Sequence, residues 1–396
     1  MYYRTDKKGF TAVFLSIIAG AVLSCVILFI QLAASAASVS YCGNLFNLAG
    51  RSVLSEFDLE LKSRYGIIAF SRSNSDIVSE LKRYVKYTVT DDRYINIGDV
   101  SVDLKDYCLM DCEIFEEQIT DSVNYKNLIG TEKTDSRPVE TGERTLRNSK
   151  TINSLPSKGM DDTPSVYSLV SNIKSLGSIS QLWKTGSREY LTTVYMFSVF
   201  SSGMSASDGE SSFFRNEIEY IIEGKKSDEA NRSAVKADLL KLRTLLNTAY
   251  IYSKPRMVKE ALLLAETLTP GPEAVVTQAA LIAAWAAFEA ELDIKTLEGG
   301  GKVPVFKDSE SWKTDIKGEI VSKNDSYEDR GYDYEGYLKI LLTALKKEVK
   351  LTRMMDLIQI NLQGTYSEDF YIKDCYRGFK FEAQVNGRKM AYDEKY

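Results

Sequence analysis

Residues 9–50 read GFTAVFLSIIAGAVLSCVILFIQLAASAASVSYCGNLFNLAG, 42 residues without one charged side chain. The front of this stretch, Phe10–Leu32, is apolar enough and long enough to cross a bilayer. As a helix rising about 1.5 Å per residue it spans roughly 34 Å, against a hydrocarbon core of about 30 Å. The pattern predicts a transmembrane helix over 10–32, and a remainder organised as what that helix holds at a membrane surface.

The flanks give an orientation. Arg4, Lys7 and Lys8 precede the helix, opposed by Asp6 alone, and no positive charge follows until Arg51. The positive-inside rule places a short leader, residues 1–9, in the cytoplasm and residues 33–396 outside. Ala33-Ala34-Ser35-Ala36-Ala37 offers the small residues of a secretory cleavage site. A signal's hydrophobic region is about 7–15 residues, shorter than this one, so a permanent anchor is the reading. Lys7-Lys8-Gly9-Phe10-Thr11 sets basic residues and a glycine directly before the helix. This resembles the processing site of prepilins and of the pseudopilins of tight-adherence (Tad/Flp) pilus systems. The resemblance implies cleavage after Gly9 and an assembly role for Gly9, Phe10, Thr11 and Phe14. Phe14 stands where prepilins usually carry glutamate, the fifth position of the mature helix.

Beyond the span, Ala49, Val53, Phe57 and Leu61 recur every three or four residues, which continues a helical face. One helix from Phe10 to about Arg64 is expected, stopped by Tyr65-Gly66; a break near Gly43 or Gly50 is the alternative. The run NLAGRSVLSEFDLELKSRYGIIAF resembles an uncharacterised bacterial envelope family whose members pair an N-terminal membrane helix with this kind of segment. The matching positions are Leu54, Glu56, Asp58, Leu61, Tyr65, Gly66 and Phe70. EIEYIIEGKKSDEANRSAVKADLLKLRTLLN, WAAFEAELDIKTLEGGGKVPVFKDSESW, YEGYLKILL and RMMDLIQINL resemble the same family. The resemblance implies an envelope context beside Tad pilus assembly genes, and it supplies no catalytic residues.

Composition narrows the function classes. A net charge of −5 over 396 residues gives no basic footprint for nucleic acid. The absence of histidine removes Ser-His-Asp and Cys-His catalysis and His-ligated zinc. Cys25 reads as a small residue in the span. Cys108 and Cys112 read as a disulfide or two free thiols, and five cysteines are too few for a disulfide scaffold.

In chain order, residues 76–87 predict a surface helix and Tyr94–Leu104 a half-buried strand, with another over Tyr107–Phe115. Residues 130–165 are polar, with Pro138, Pro156 and Pro164, and read as a flexible linker between a membrane-proximal region (33–129) and a helical domain (166–396). A buried helix is expected over Tyr190–Phe200, and Phe213–Gly224 leads to a helix capped by Ser227 with Val235, Leu239, Leu242, Leu246 and Tyr250 on one stripe. Lys254-Pro255 should end that helix, with another through Met257–Leu268. The Ala-rich run 274–292 reads as the central helix of a bundle. Helices over 334–345 and 349–362, closed by Gly364, precede one or two strands in 370–385.

Three constellations invite chemistry. Gly299-Gly300-Gly301-Lys302 lacks the glycine and hydroxyl residue of a phosphate loop and reads as a turn. The acidic run Asp325–Glu335 fails calcium-loop spacing at Arg330 and Gly336. Glu217, Glu219 and Glu223 read as the charged face of an exposed helix. The fold expected is therefore α+β: a transmembrane helix extended into a mainly helical ectodomain with a small β-sheet. The functional expectation is a non-enzymatic, cofactor-free and metal-free accessory component of a Tad/Flp-type pilus or secretion assembly. Its partners would be the lipid bilayer and pilin-like or pilus-platform proteins; the alternative is a surface-exposed binding protein or adhesin.

Overall fold

The computed structural model describes residues 7–89, 95–126, 144–160, 162–176, 187–203, 212–321 and 331–396. The chain forms two compact units. The first comprises Met1–Leu59, Ile68–Leu109 and Asp374–Tyr396; the second comprises Glu60–Ile67 and Met110–Lys373. The architecture is α+β, as expected.

In the first unit, helix α1 (Lys7–Leu54) runs without interruption through Gly43 and Gly50. Those glycines are contact points rather than breaks: a Cβ on Gly50 would lie 2.9 Å from Glu394 and 3.1 Å from Phe381. They let the helix approach a three-stranded antiparallel sheet ordered β2 (Ile97–Asp103), β4 (Gly378–Val385), β5 (Arg388–Lys395). Alternation along β4 turns Phe379, Phe381, Ala383 and Val385 inward. They meet Cys42, Phe46, Ala49 and Val53 of α1 and Ile77, Leu81 and Val85 of α3 (Asn74–Thr88) in one core. Ser73 and Asp76 close α3 with a reciprocal capping box. Hairpin β4–β5 turns at Asn386-Gly387, both with positive φ, 48° and 77°.

The helix expected to reach Arg64 is two helices, α1 and α2 (Leu59–Tyr65). The Asp58 amide donates to the Ala69 carbonyl at 2.8 Å instead of back along α1, and the Leu54 carbonyl accepts from the Tyr396 hydroxyl. The stop at Gly66 holds: φ is 67° and its amide bonds the Lys62 carbonyl. Strand β1 (Phe70–Ser71) pairs with β3 (Cys375–Tyr376).

The strand expected over Tyr107–Phe115 is absent. The chain there makes a short 3₁₀ turn, Lys105–Tyr107, and then enters α4 (Cys112–Lys126). Asp111 starts α4 by accepting the Glu113 amide at 2.8 Å, and Phe115, Ile119 and Val123 bury at a four-residue spacing, which is helical. Among the described residues, Cys108 and Cys112 are not joined by a disulfide.

Of the expected linker, 130–165, residues 130–143 and 161 lie outside the described residues, but 144–160 packs within the second unit. It carries α5 (Ser149–Asn153), buries Leu146, bridges Thr145 to Ser227 and sends Ser157 to Asp356. Its polar side chains find partners, which substitutes for the apolar area it lacks. Nor is 166–396 one body, because residues from Asp374 onward belong to the first unit.

The second unit is helical: α6 (Val166–Leu176), α7 (Arg188–Val199), α8 (Glu217–Glu223), α9 (Asp228–Tyr252), α10 (Pro255–Leu268), α11 (Ala274–Glu298), α12 (Tyr334–Leu342) and α13 (Lys347–Thr365). Ser187 and Ser227 cap α7 and α9 by accepting amide hydrogens, and Pro255 opens α10. The α9 stripe buries Val235, Leu239, Leu242 and Leu246 as its spacing predicts, while Tyr250 is only half-buried. The central position falls to α13 rather than α11. Every residue from Val349 to Leu362 is buried, and the helix runs through Gly364 to Thr365. Helix α11 buries one face, including Trp285, Glu289 and Asp293, and leaves Val275, Val276 and Phe288 exposed.

Candidate functional site

Two regions carry functional candidates: the outer part of α1 in the first unit and the polar contacts around α8 in the second.

The sequence-derived residues Gly9, Phe10, Thr11 and Phe14 fall in the first turns of α1. Phe14 is 56% exposed, and no part of the helix's most apolar 18-residue window is buried. The hydroxyls there do not oppose a lipid setting. Ser16 donates to the Val13 carbonyl at 2.7 Å and Ser24 to the Gly20 carbonyl at 2.9 Å, so each is satisfied within its own helix. From Cys42 on, the same helix is core. One element thus has an apolar outer part long enough to cross a membrane and an inner part that packs into the first unit's core.

The motif at the end of α1 is explained by packing. Arg72 pairs with both Glu56 and Glu80, and the Tyr84 hydroxyl donates to Glu56 at 2.6 Å. That hydroxyl, followed by the Arg72 charge, holds the Glu56 carboxyl below its ordinary range.

Around α8 the structure reverses the sequence reading. Glu217, Glu219 and Glu223 are buried, not a solvated face. Glu217 accepts at one oxygen from the Ser201 amide and hydroxyl, 2.9 and 3.1 Å, and at the other from Asn361 Nδ2 at 2.7 Å. Glu219 accepts from the Gly203 amide and the Tyr334 hydroxyl, both at 2.9 Å. Burial pushes Glu217 and Glu223 up to about 7 and raises Glu219. Facing them on α13, Asp356 accepts from the Tyr220 hydroxyl at 2.9 Å and the Ser157 amide at 3.0 Å; burial raises it to about 6.

Arg353, also on α13, donates to the carbonyls of Ile221 and Ile222 at 2.9 and 2.6 Å. It caps the helix end where unsatisfied carbonyls gather. Gly224 closes α8 with φ 67°, and a Cβ there would meet the Arg353 guanidinium at 2.7–2.8 Å. The signal available in sequence was the polar content of RMMDLIQINL, whose Arg, Asp, Gln and Asn lie among apolar residues that leave no solvent face. Glu217, Glu219 and Asp356 each sit in a separate set of donors supplied by the chain itself. The described cavity beside them, lined by Gly203, Arg232, Lys236 and Tyr334 among others, measures about 10 Å³, room for one water.

A second buried polar group stabilises α11. Arg243 donates to Asp293 at 2.9 Å and to the Val305 carbonyl at 2.9 Å, and Lys307 reaches both Glu289 and Asp293. Helix α11 is also apolar and long enough to cross a membrane by composition, yet two of its carboxylates are paired inside the second unit. Among the described residues no cluster of His, Cys, Asp and Glu could hold a metal ion. The acidic run at 325–335 falls largely outside the described residues.

A chain with an apolar N-terminal helix and an α+β body defines a broad structural class. Within it, this protein belongs to a family of unknown function, DUF5702, which it matches over residues 142–387. That match contains α8, α9, α11 and α13 and excludes α1. No curated protein and no solved structure matches the chain.

Proposed function

We propose that the protein is a membrane-anchored accessory component of an envelope assembly, acting through protein–protein contacts rather than turnover. The observation that carries this reading is the continuity of α1. Its outer part is apolar and unburied, and its inner part packs Phe46 and Val53 into the first unit's core. A helix built into both bilayer and fold is a rigid mount for the body of the chain. In this reading the leader with Arg4, Lys7 and Lys8 stays cytoplasmic and the two units stand outside. The assembly is a Tad/Flp-type pilus or secretion system, supported by the prepilin-like order of Lys7, Lys8, Gly9, Phe10 and Thr11. The partners are the lipid bilayer and pilin-like or pilus-platform proteins, with no cofactor and no nucleic acid.

Mass spectrometry of the mature N-terminus tests the anchor. A start at Phe10 fits prepilin-type processing and a start at Met1 a plain anchor, whereas a start near Ser38 replaces the reading with secretion. Mild crosslinking followed by co-purification tests the partners. Enrichment of pilus-platform proteins over an unrelated single-span control is expected; equal recovery sinks the pilus assignment.

A further inference from the structure

The segment 144–160 carries Arg144, Arg147, Lys150 and Lys158 and no acidic residue, in a chain whose net charge is −5. Its residues 145–151 form one wall of an open cleft of about 450 Å³ in the second unit, and the end of α13 with the residues after it forms the other. Leu146, Phe213 and Ile360 supply apolar lining. Gly364 of α13 also lines the cleft, with nothing within 4 Å of where a Cβ would stand. The size, and an apolar lining with a few polar groups, are those of a small-molecule site.

The two walls differ in chemistry. Arg147 and Lys150 line the first. Beside the lining residues Thr145 and Phe213 in the chain stand two more cations, Arg144 and Arg215, and Asp228 joins them. Its amide donates to the Arg144 carbonyl at 3.1 Å, and its carboxylate accepts the amides of Arg215 and Asn216 at 3.2 and 2.9 Å. Asp228 thus holds both arginines by their backbones and spends its oxygens on amides. Among the described residues neither guanidinium has an ion-pair partner, and Arg144 Nη1, an exception in its segment, is buried without a hydrogen bond. The facing wall offers acceptors. Glu368 lines it, and Gln363 spends Nε2 on the Phe370 carbonyl at 2.9 Å while its buried Oε1 receives no donor. The other acid at the rim, Asp369, meets Lys150 at 3.2 Å but is 84% exposed, which makes that pair weak.

Unmet donors on one side, an unmet acceptor on the other and apolar lining between them suit a ligand with an anionic head and hydroxyl groups on a short carbon skeleton. Guanidinium forks match phosphate oxygens and their two charges better than a lone carboxylate. We propose that this cleft binds a small phosphate ester with free hydroxyls, its phosphoryl group taken at the Arg144, Arg147 and Arg215 end and its hydroxyls by Gln363 and Glu368. A glycerol phosphate has this chemistry, whether as a lipid headgroup or as a soluble or polymeric ester.

Isothermal titration calorimetry of the full chain in nonionic detergent tests the site with glycerol 3-phosphate as the probe. One saturable site with a dissociation constant below about 1 mM is expected. Arg144→Gln and Arg215→Gln should each weaken binding about tenfold, the loss of one charge-assisted hydrogen bond. Lys158→Gln, in the same segment but outside the cleft, should leave it unchanged. Gly364→Leu fills the open space without a clash and should weaken binding by at least about tenfold in a protein that melts no lower than the wild type, which decides the matter even where an arginine variant fails to fold. Inorganic phosphate should compete about tenfold less well, since it lacks the hydroxyls. No saturable binding, undiminished binding in Gly364→Leu, or equal competition by inorganic phosphate would each overturn the proposal. Reconstitution separates the two sources of the ester. Weaker binding of the probe in phosphatidylglycerol than in phosphatidylcholine vesicles supports the site with a lipid headgroup as its occupant, and equal binding supports it with a soluble or polymeric one.

Discussion

Asn361 donates from Nδ2 to Glu217 Oε1 at 2.7 Å, joining helices whose residues lie 144 positions apart. The same Asn361 accepts the Phe213 amide at 2.7 Å, so one side chain satisfies a buried group at the start of α8 and a half-buried one in the segment that leads into it. Asn361→Ala should cost about 1–3 kcal/mol, because it leaves a buried carboxyl oxygen and a half-buried amide without this partner. Thermal unfolding of the full chain in detergent measures it; a loss below about 0.5 kcal/mol would mean water replaces the amide at no cost.

The acids around α8 set a pH dependence with a definite sign. Glu217 and Asp356 are raised by burial to about 7 and about 6. The folded chain therefore holds protons that the unfolded chain releases between about pH 4 and 7. Stability should be highest at the acid end of that window and fall as pH rises through 6 to 7, by at most about 1.4 kcal/mol per pH unit for each group. Glu56, held low by Tyr84, acts in the opposite sense only below the ordinary glutamate range, outside that window. Urea midpoints at pH 5.0 and 7.5 test the direction; a higher midpoint at 7.5 reverses it.

Gly224 and Gly300 both have positive φ, 67° and 81°, but only Gly224 is crowded. Gly300→Ala should cost about 1 kcal/mol from backbone strain alone. Gly224→Ala adds a collision with Arg353 and should cost at least twice as much. Equal costs would show that the guanidinium moves aside freely.

The Arg243–Asp293 pair is buried on both sides. Arg243→Met should destabilise by about 3–5 kcal/mol, since Asp293 would lose the guanidinium and keep only Lys307 and the Asn247 amide. Pairing it with Asp293→Leu should cost clearly less than the two single changes added together, as contacting residues are not additive. Additive losses in chemical denaturation would mean the pair contributes nothing as a pair.

Sodium carbonate washing should leave the full-length protein in membranes, and external protease on wall-less cells should remove residues beyond Leu32. Release into the wash contradicts a spanning α1; complete protection contradicts the outward orientation.

Periodic segments are legible in the sequence because their burial obeys one rule. The α3 face at Ile77, Leu81 and Val85 and the α9 stripe from Val235 to Leu246 are one-sided, so spacing alone finds them. Helix α13 defeats that logic: a helix buried all round shows no stripe, and its Arg353, Asp356 and Asn361 look like surface residues until their partners are known. The burial of Glu217, Glu219 and Glu223 is hidden for the same reason, since carboxylates are normally solvated and only distant donors such as Tyr334 and Asn361 make burial tolerable. Tyr107–Phe115 misleads through a local alternation, where the deciding signal is the four-residue spacing from Phe115 onward. Hairpin β4–β5 has a plain marker, Asn386-Gly387 between alternating segments, just past the 370–385 stretch expected to hold strands.

The hydroxyl of Tyr392 donates to the Gly43 carbonyl across 349 residues of sequence, and the strand that carries it completes the sheet on which α1 rests. During synthesis the apolar face of Cys42, Phe46 and Ala49 leaves the ribosome long before that strand exists. At about 5–20 residues per second the wait is on the order of 20–60 s. Through that interval the second unit can fold as an insertion, while the first half of the first unit stays open. Truncations at the C-terminus should therefore act first as failures of biogenesis, with the nascent chain's exposed helix face the target for chaperones and quality-control proteases.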